Sequence, residues 1–69
     1  MTENFGARLK FLRTDRELSA DELAEKSGVN VATIKRIERR GIRPQLATVL
    51  KLADALKVKP GLLLGVCHE

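Results

Sequence analysis

The sequence predicts an all-α, five-helix domain, and three observations carry that expectation. Leucine and isoleucine recur three and four residues apart, the spacing that lines one face of a helix. Capping residues, glycines and prolines fall between those stripes, where helices must start and stop. The apolar share is 43% but only two residues, Phe5 and Phe11, are aromatic, a balance that suits a helical core better than a sheet.

The elements follow in order. The first helix is expected over about Asn4 to Arg16, with Phe5, Leu9 and Leu12 on its inner face and Arg8, Lys10 and Arg16 largely outside it. Ser19-Ala20-Asp21-Glu22 fits a capping box that opens the second helix, with Leu23 and Ala24 facing inward. Gly28 stops that helix, Asn30 caps the next, and the third runs from about Val31 to Arg40 with Ile34 and Ile37 inward and Gly41 as its terminator. After the Gly41-Ile42-Arg43-Pro44 loop, Leu46, Val49, Leu50, Ala53 and Leu56 describe a fourth helix from about Gln45 to Leu56. Pro60 suits the first turn of a short fifth helix over about 60–65, to which Leu62, Leu63 and Leu64 contribute apolar contacts.

Length and composition narrow the function. The chain has 69 residues, room for one domain over 1–69 that hides only about 60% of the surface its unfolded form exposes, so a large enzymatic cleft is not expected. The single cysteine, Cys67, excludes an internal disulfide framework. Met1 to Asn4 is polar and unlike a signal peptide, and no apolar run approaches the ~20 residues of a membrane helix, so a cytoplasmic protein without a membrane partner is expected. Cys67-His68-Glu69 places neighbouring metal-ligating types at a chain end with no further cysteine or histidine, which cannot complete a protein site. The only histidine has no nucleophile and orienting group on separate elements, so neither a metal, a cofactor nor catalysis is expected. Val66 to Glu69 reads equally well as an end or as a cut within a longer regulator.

Charge is unevenly distributed. The net charge is +4, but Glu17 to Gly28 carries Glu17, Asp21, Glu22 and Glu25 against Lys26 alone. From Val29 to Arg43 the balance reverses, with Lys35, Arg36, Arg39, Arg40 and Arg43 against the single acid Glu38. A basic block on one helix and the loop after it is the footprint expected for a phosphate backbone, although a solvated charged face would look the same by composition.

Two short helices meeting across Ser27-Gly28-Val29-Asn30, with small Ala24 where they cross and Ile34 and Ile37 filling their angle, decide between those readings. This arrangement resembles the repressor/Cro-like helix-turn-helix family, also called lambda-repressor-like or XRE-type, with the motif over about 20–39. The resemblance covers nearly the whole chain. It includes Phe5-Gly6-x-Arg8-Leu9-x-x-Leu12-Arg13, Leu18-Ser19-x-x-x-Leu23-Ala24, Ile34-x-x-Ile37-Glu38, and Pro44 followed by Leu46, Leu50, Ala53 and Leu56.

The resemblance implies a sequence-specific regulator of transcription, a repressor, bound to double-stranded DNA with its third helix in the major groove. Asn30, Val31, Ala32, Lys35 and Arg36 match the positions nearest the bases, and the fork of Arg36 suits guanine. Ser19 and the Ala20 amide match a phosphate contact at a helix N-terminus, while Arg39, Arg40 and Arg43 hold the backbone. Arg13 and Glu38 match positions that form a buried ion pair, whose loss on one side would cost a few kcal/mol. The sequence departs from the family pattern at Ala20, where glutamine is common, and at Val31 and Ala32, which replace polar readers. Its glycine also falls one place late, at Gly41, with Arg40 where the turn residue usually sits.

Two expectations concern partners. One module buries little surface on DNA, so a homodimer is expected, with Leu62, Leu63, Leu64 and Val66 supplying part of the contact because they cannot all point inward. The alternative is an antitoxin-like or regulatory module that uses the same fold to hold a protein partner. The Arg39, Arg40, Arg43 cluster argues for DNA, and the two readings are not exclusive.

Overall fold

Asn4 starts the fold by accepting the Ala7 N–H through its side chain at 2.8 Å, which satisfies one of the donors a helix leaves unpaired at its beginning. The computed structural model describes residues 4–65, and five helices make up its regular structure. They are α1 (Phe5–Asp15), α2 (Ala20–Ser27), α3 (Val31–Arg40), α4 (Leu46–Leu56) and α5 (Pro60–Leu64). The all-helical architecture and the order of its elements are those the sequence predicts. None of the helices is long and apolar enough to cross a membrane.

Two helix ends use no glycine. At the end of α1 the Leu18 N–H reaches back to the Arg13 carbonyl and the Glu17 N–H to Thr14, with Glu17 left-handed at φ 58°. The end of α4 repeats the pattern, with Val58 bonded to Ala53, Lys57 to Asp54, and Lys57 at φ 60°. This closure satisfies the last carbonyls of a helix and normally favours glycine in the left-handed position. Arg8 of α1 and Arg16 at its C-cap strengthen two helix ends. Arg16 Nε donates to the Leu56 carbonyl at 2.6 Å, and Arg8 Nε donates to the Leu63 carbonyl at 2.9 Å. Each places a cation against the negative end of a helix, α4 in one case and α5 in the other.

The core is drawn from all five helices. Phe5, Leu9 and Leu12 of α1 meet Leu23 of α2, Ile34 and Ile37 of α3, Val49, Leu52, Ala53 and Leu56 of α4, and Leu63 of α5. Two expectations are corrected here. On α4 the inward face is rotated from the predicted stripe: Leu46 and Leu50 are 64% and 46% exposed, whereas Leu52, absent from that stripe, is fully buried. The apolar residues of α4 extend well round its circumference, and packing against α2 and α5 chooses the arc that is covered. On α5, Leu63 is fully buried and therefore cannot supply a dimer contact; Leu62 is exposed, Leu64 half-buried, and Val66 lies outside the described residues. A helix of one and a half turns pins its middle leucine to the core and leaves its neighbours at the rim.

Gly6 sets the distance between α1 and α3. A Cβ at this position would lie 2.8 Å from the Gly41 Cα and 3.2 Å from the Glu38 Cα, and closer still to the Ile37 carbonyl, all backbone atoms that cannot rotate aside. In an open helix interior Ala is better than Gly by about 1 kcal/mol. Here the order is reversed. Gly6→Ala is expected to destabilise the domain by about 1–3 kcal/mol through overpacking, lowering its thermal midpoint by at least about 4 °C. A midpoint that is unchanged or raised by circular dichroism would show that the two backbones have room to separate.

Candidate nucleic-acid interface

The helix-turn-helix is built from reciprocal caps. Ser19 Oγ accepts the Glu22 N–H at 3.0 Å and the Ser19 N–H donates to Glu22 Oε1 at 2.8 Å, so the predicted capping box is complete. Gly28 ends α2 at φ 79°, a conformation that side chains disfavour, and the turn is drawn in where Ser27 Oγ accepts the Val29 N–H. Asn30 then caps α3 by accepting the Ala32 N–H at 2.7 Å. Ala24 is half-buried against the core cluster, beside fully buried Leu23, Ile34 and Ile37, and these apolar groups fill the angle between the two helices.

Arg13 fixes α3 from behind. Its Nε donates to Glu38 Oε2 at 2.8 Å, one terminal nitrogen donates to Glu38 Oε1 at 3.1 Å, and the other donates to the Leu18 carbonyl at 2.7 Å. The side chains retain 13% and 10% exposure, so the pair is largely but not wholly buried. Hydrogen bonding to Glu38 raises the Arg13 guanidinium above its ordinary value, against the opposing effect of burial. A raised cation contributes stability that is fully present below its ordinary range and lost only as pH climbs beyond it, so the guanidinium stays charged through ordinary alkaline titration.

With its inner side held by Ile34, Ile37 and Glu38, α3 turns Ala32, Lys35, Arg36 and Arg39 outward at three- and four-residue spacing. Arg40 is exposed in the last turn, where the helix continues through the position expected to turn, and Gly41 takes the left-handed cap one place later at φ 73°. Asn30 and Arg43 are exposed at the two ends of this surface, and Val31 is half-buried. Among the described residues, Lys35, Arg36, Arg39, Arg40 and Arg43 have neither a hydrogen bond nor an ion pair. The arginines of α1 and its C-cap differ: Arg8, Arg13 and Arg16 are each engaged by a carbonyl or carboxylate.

In the capping box the Ser19 N–H is already given to Glu22, and the Ala20 and Asp21 amides are left as the backbone donors at the first turn of α2. The signal was present in the sequence at Asp21-Glu22, two acids in a first turn that complete the helix N-terminus with the chain's own negative charge. No group of three or more metal-ligating side chains occurs among the described residues; Cys67, His68 and Glu69 lie outside them.

Residues 9–63 match the helix-turn-helix family model. The chain belongs to this helix-turn-helix family. It is 50% identical over 58 residues to the HTH-type transcriptional repressor RghR of Bacillus subtilis, a match covering 81% of this chain and 42% of that protein. It is 33% identical over 60 residues to the immunity repressor of Bacillus phage phi105, covering 87% of this chain and 42% of the relative. The chain thus spans less than half the length of these curated relatives. Among solved structures it is similar to the restriction-modification controller protein C.AhdI of Aeromonas hydrophila, with 41% identity, a TM-score of 0.81, and 86% and 89% of the two chains covered. It is also similar to the P22 c2 repressor in complex with a synthetic operator, with 27% identity, a TM-score of 0.84, and 96% and 100% covered.

The Arg13 clamp is open to direct test. Arg13→Met leaves Glu38 charged and the Leu18 carbonyl unpaired, and is expected to cost about 2–4 kcal/mol. Combining it with Glu38→Met removes the stranded charge and is expected to restore more than half of that loss. Denaturant melts of the two single variants and the double variant measure the coupling, which equal and additive losses would reduce to nothing.

Proposed function

We propose that this domain is the DNA-binding part of a sequence-specific transcriptional regulator, a repressor, which inserts α3 into the major groove of double-stranded DNA as a homodimer. The observation that carries the reading is the sorting of its cations. Arg8 and Arg13 of α1 and Arg16 at its end are engaged within the fold, whereas Lys35, Arg36, Arg39, Arg40 and Arg43 on α3 and the following loop have no partner among the described residues and are all exposed. The names of the relatives support a repressor, and the likeness to a repressor bound to its operator supports the mode of docking.

In this reading Arg36 addresses the two acceptors of a guanine with its fork. Asn30, Val31, Ala32 and Lys35 lie beside it, and the apolar pair favours thymine methyls. Arg39, Arg40, Arg43, Ser19 and the Ala20 amide hold phosphates and fix register without reading sequence. The homodimer pairs the rim of α4 and α5, where exposed Leu46 and half-buried Leu64 border a shallow hollow with Arg43 and Pro44. Leu50 continues the apolar surface one turn along α4. On a near-palindromic site the two α3 helices would stand about 34 Å apart, one helical turn of DNA. The regulator works in the cytoplasm.

Selection from random duplex DNA, followed by a salt series on the best site, tests this directly. A two-fold motif whose binding weakens steeply with salt is expected. Arg36→Ala should relax preference at one position of each half-site by about 1–3 kcal/mol, whereas Arg39→Ala should weaken all sites alike and reduce the salt slope by about one. No enrichment and no salt dependence would remove the DNA reading and turn the search to protein partners.

Glu22→Gln tests the α2 N-terminus separately. Glutamine can keep the capping box while removing a negative charge beside the expected phosphate. Affinity in low salt is expected to rise several-fold, and the gain to shrink as salt increases. An unchanged affinity would place the DNA backbone away from this helix end.

A further inference from the structure

α5 is five residues long, and Lys59 caps its start without a side-chain hydrogen bond. A helix of that length does not persist by itself, so its orientation comes from whatever holds it. Leu63 is fully buried and fixes the depth of α5 against the core. A single buried side chain still allows a short helix to pivot about it, and a second attachment is needed to set the rotation.

Arg8 supplies that attachment. Its Nε donates to the Leu63 carbonyl at 2.9 Å, and a terminal nitrogen makes a longer bond of 3.4 Å to the Leu64 carbonyl. Gly65 leaves room for the guanidinium. It ends α5 at φ 80°, and a Cβ there would lie 2.7 Å from Arg8 Cζ and 2.8 and 3.0 Å from the two terminal nitrogens. The carbonyls that Arg8 grips therefore belong to the leucine that anchors α5 and to the leucine beside it. Leu64 borders the hollow with Arg43, Pro44, Leu46 and Val49, the rim assigned above to the homodimer.

A cation at a helix C-terminus ordinarily adds stability and nothing more. We propose that Arg8 is in addition a positioning residue for the dimer: by gripping the end of α5 it holds the rotation that presents Leu64 beside Leu46 to a second copy of the chain. This inference rests on the homodimer in the reading above.

Two variants release the grip in different ways. Arg8→Met removes the guanidinium and keeps an unbranched stem. Gly65→Asn keeps the guanidinium but puts a side chain in its place, and asparagine tolerates the left-handed conformation better than most residues. Both are expected to retain the helical content of the parent by circular dichroism. In sedimentation equilibrium each is expected to weaken the dimer roughly tenfold, as loss of a charge-assisted hydrogen bond implies. Because both undo one contact, the double variant should lose no more than about twofold beyond either alone, and in a Leu64→Ala background each should lose no more than about twofold. Affinity for the selected palindromic duplex should fall with the dimer, while affinity for a single half-site stays at the parent value. Should either variant fail to fold, Arg8→Lys carries the same test, since it keeps the charge and loses the fork, with an expected loss of about threefold.

A folded Arg8→Met variant that dimerises as the parent does, whatever its thermal midpoint, would reduce Arg8 to a structural cap and overturn the inference while leaving the homodimer standing. Equal losses on the half-site and the palindromic duplex would overturn it too. A parent that sediments as a monomer at high concentration, and that binds the palindromic duplex as two independent half-sites, would overturn the homodimer and this inference together.

Discussion

One guanidinium joins three parts of this fold. Arg13 leaves α1, grips both oxygens of Glu38 on α3, and binds the carbonyl of Leu18 just ahead of the α2 cap. The planar fork makes this geometry available, since a lysine ammonium in the same place could not address a carboxylate side-on while holding a carbonyl with its remaining nitrogen. Beside the clamp, Gly6 lets the backbones of α1 and α3 approach without an intervening side chain. Ion pair and close approach together determine how α3 sits on the body of the domain. A helix that reads DNA depends on that placement, because side chains reach base edges only if their helix enters the groove at a fixed depth and angle.

The same physics sorts the cations. A domain this small has little buried surface with which to fix the ends of its helices, and α1 uses arginine for that purpose at the C-terminal turns of both α4 and α5. These arginines are part of the scaffold even though they add to the net positive charge. The cations of α3 have no comparable work to do inside the molecule, apart from the favourable placement of Arg39 and Arg40 at the negative end of their own helix. Their remaining capacity is directed outward.

The outward surface is chemically narrow. Val31 and Ala32 occupy the opening of α3 with no hydrogen-bonding side chain, and Ala20 does the same on α2, while the Asn30 side chain caps α3. On the α2 side, Glu22 and Asp21 supply the negative charge that a phosphate would otherwise bring to the helix end. In the proposed reading, recognition on this surface concentrates on Arg36, on methyl contacts and on the shape and deformability of the duplex, with Arg39, Arg40 and Arg43 supplying attraction that is indifferent to sequence.

What was legible in the sequence has one property in common: it acts over a few residues. Ser19 with Glu22, Gly28 after Ser27, Asn30 before Ala32, Gly41 after Arg40 and Pro60 at the start of α5 are each decided within about one helical turn, so helix starts and stops could be read from neighbouring letters. The outward basic residues were legible too, because Ile34 and Ile37 orient α3 unambiguously. The Arg13–Glu38 pair spans 25 positions and was accessible only through the family resemblance. Tertiary structure alone decided that Leu52 and Leu63 are buried while Leu46 and Leu50 are not, and that Arg8 and Arg16 cap helices 55 and 40 residues away. A helix that is apolar around much of its circumference has no unique inner face until its neighbours are packed against it, and a long cation has no partner until a distant carbonyl is brought within reach.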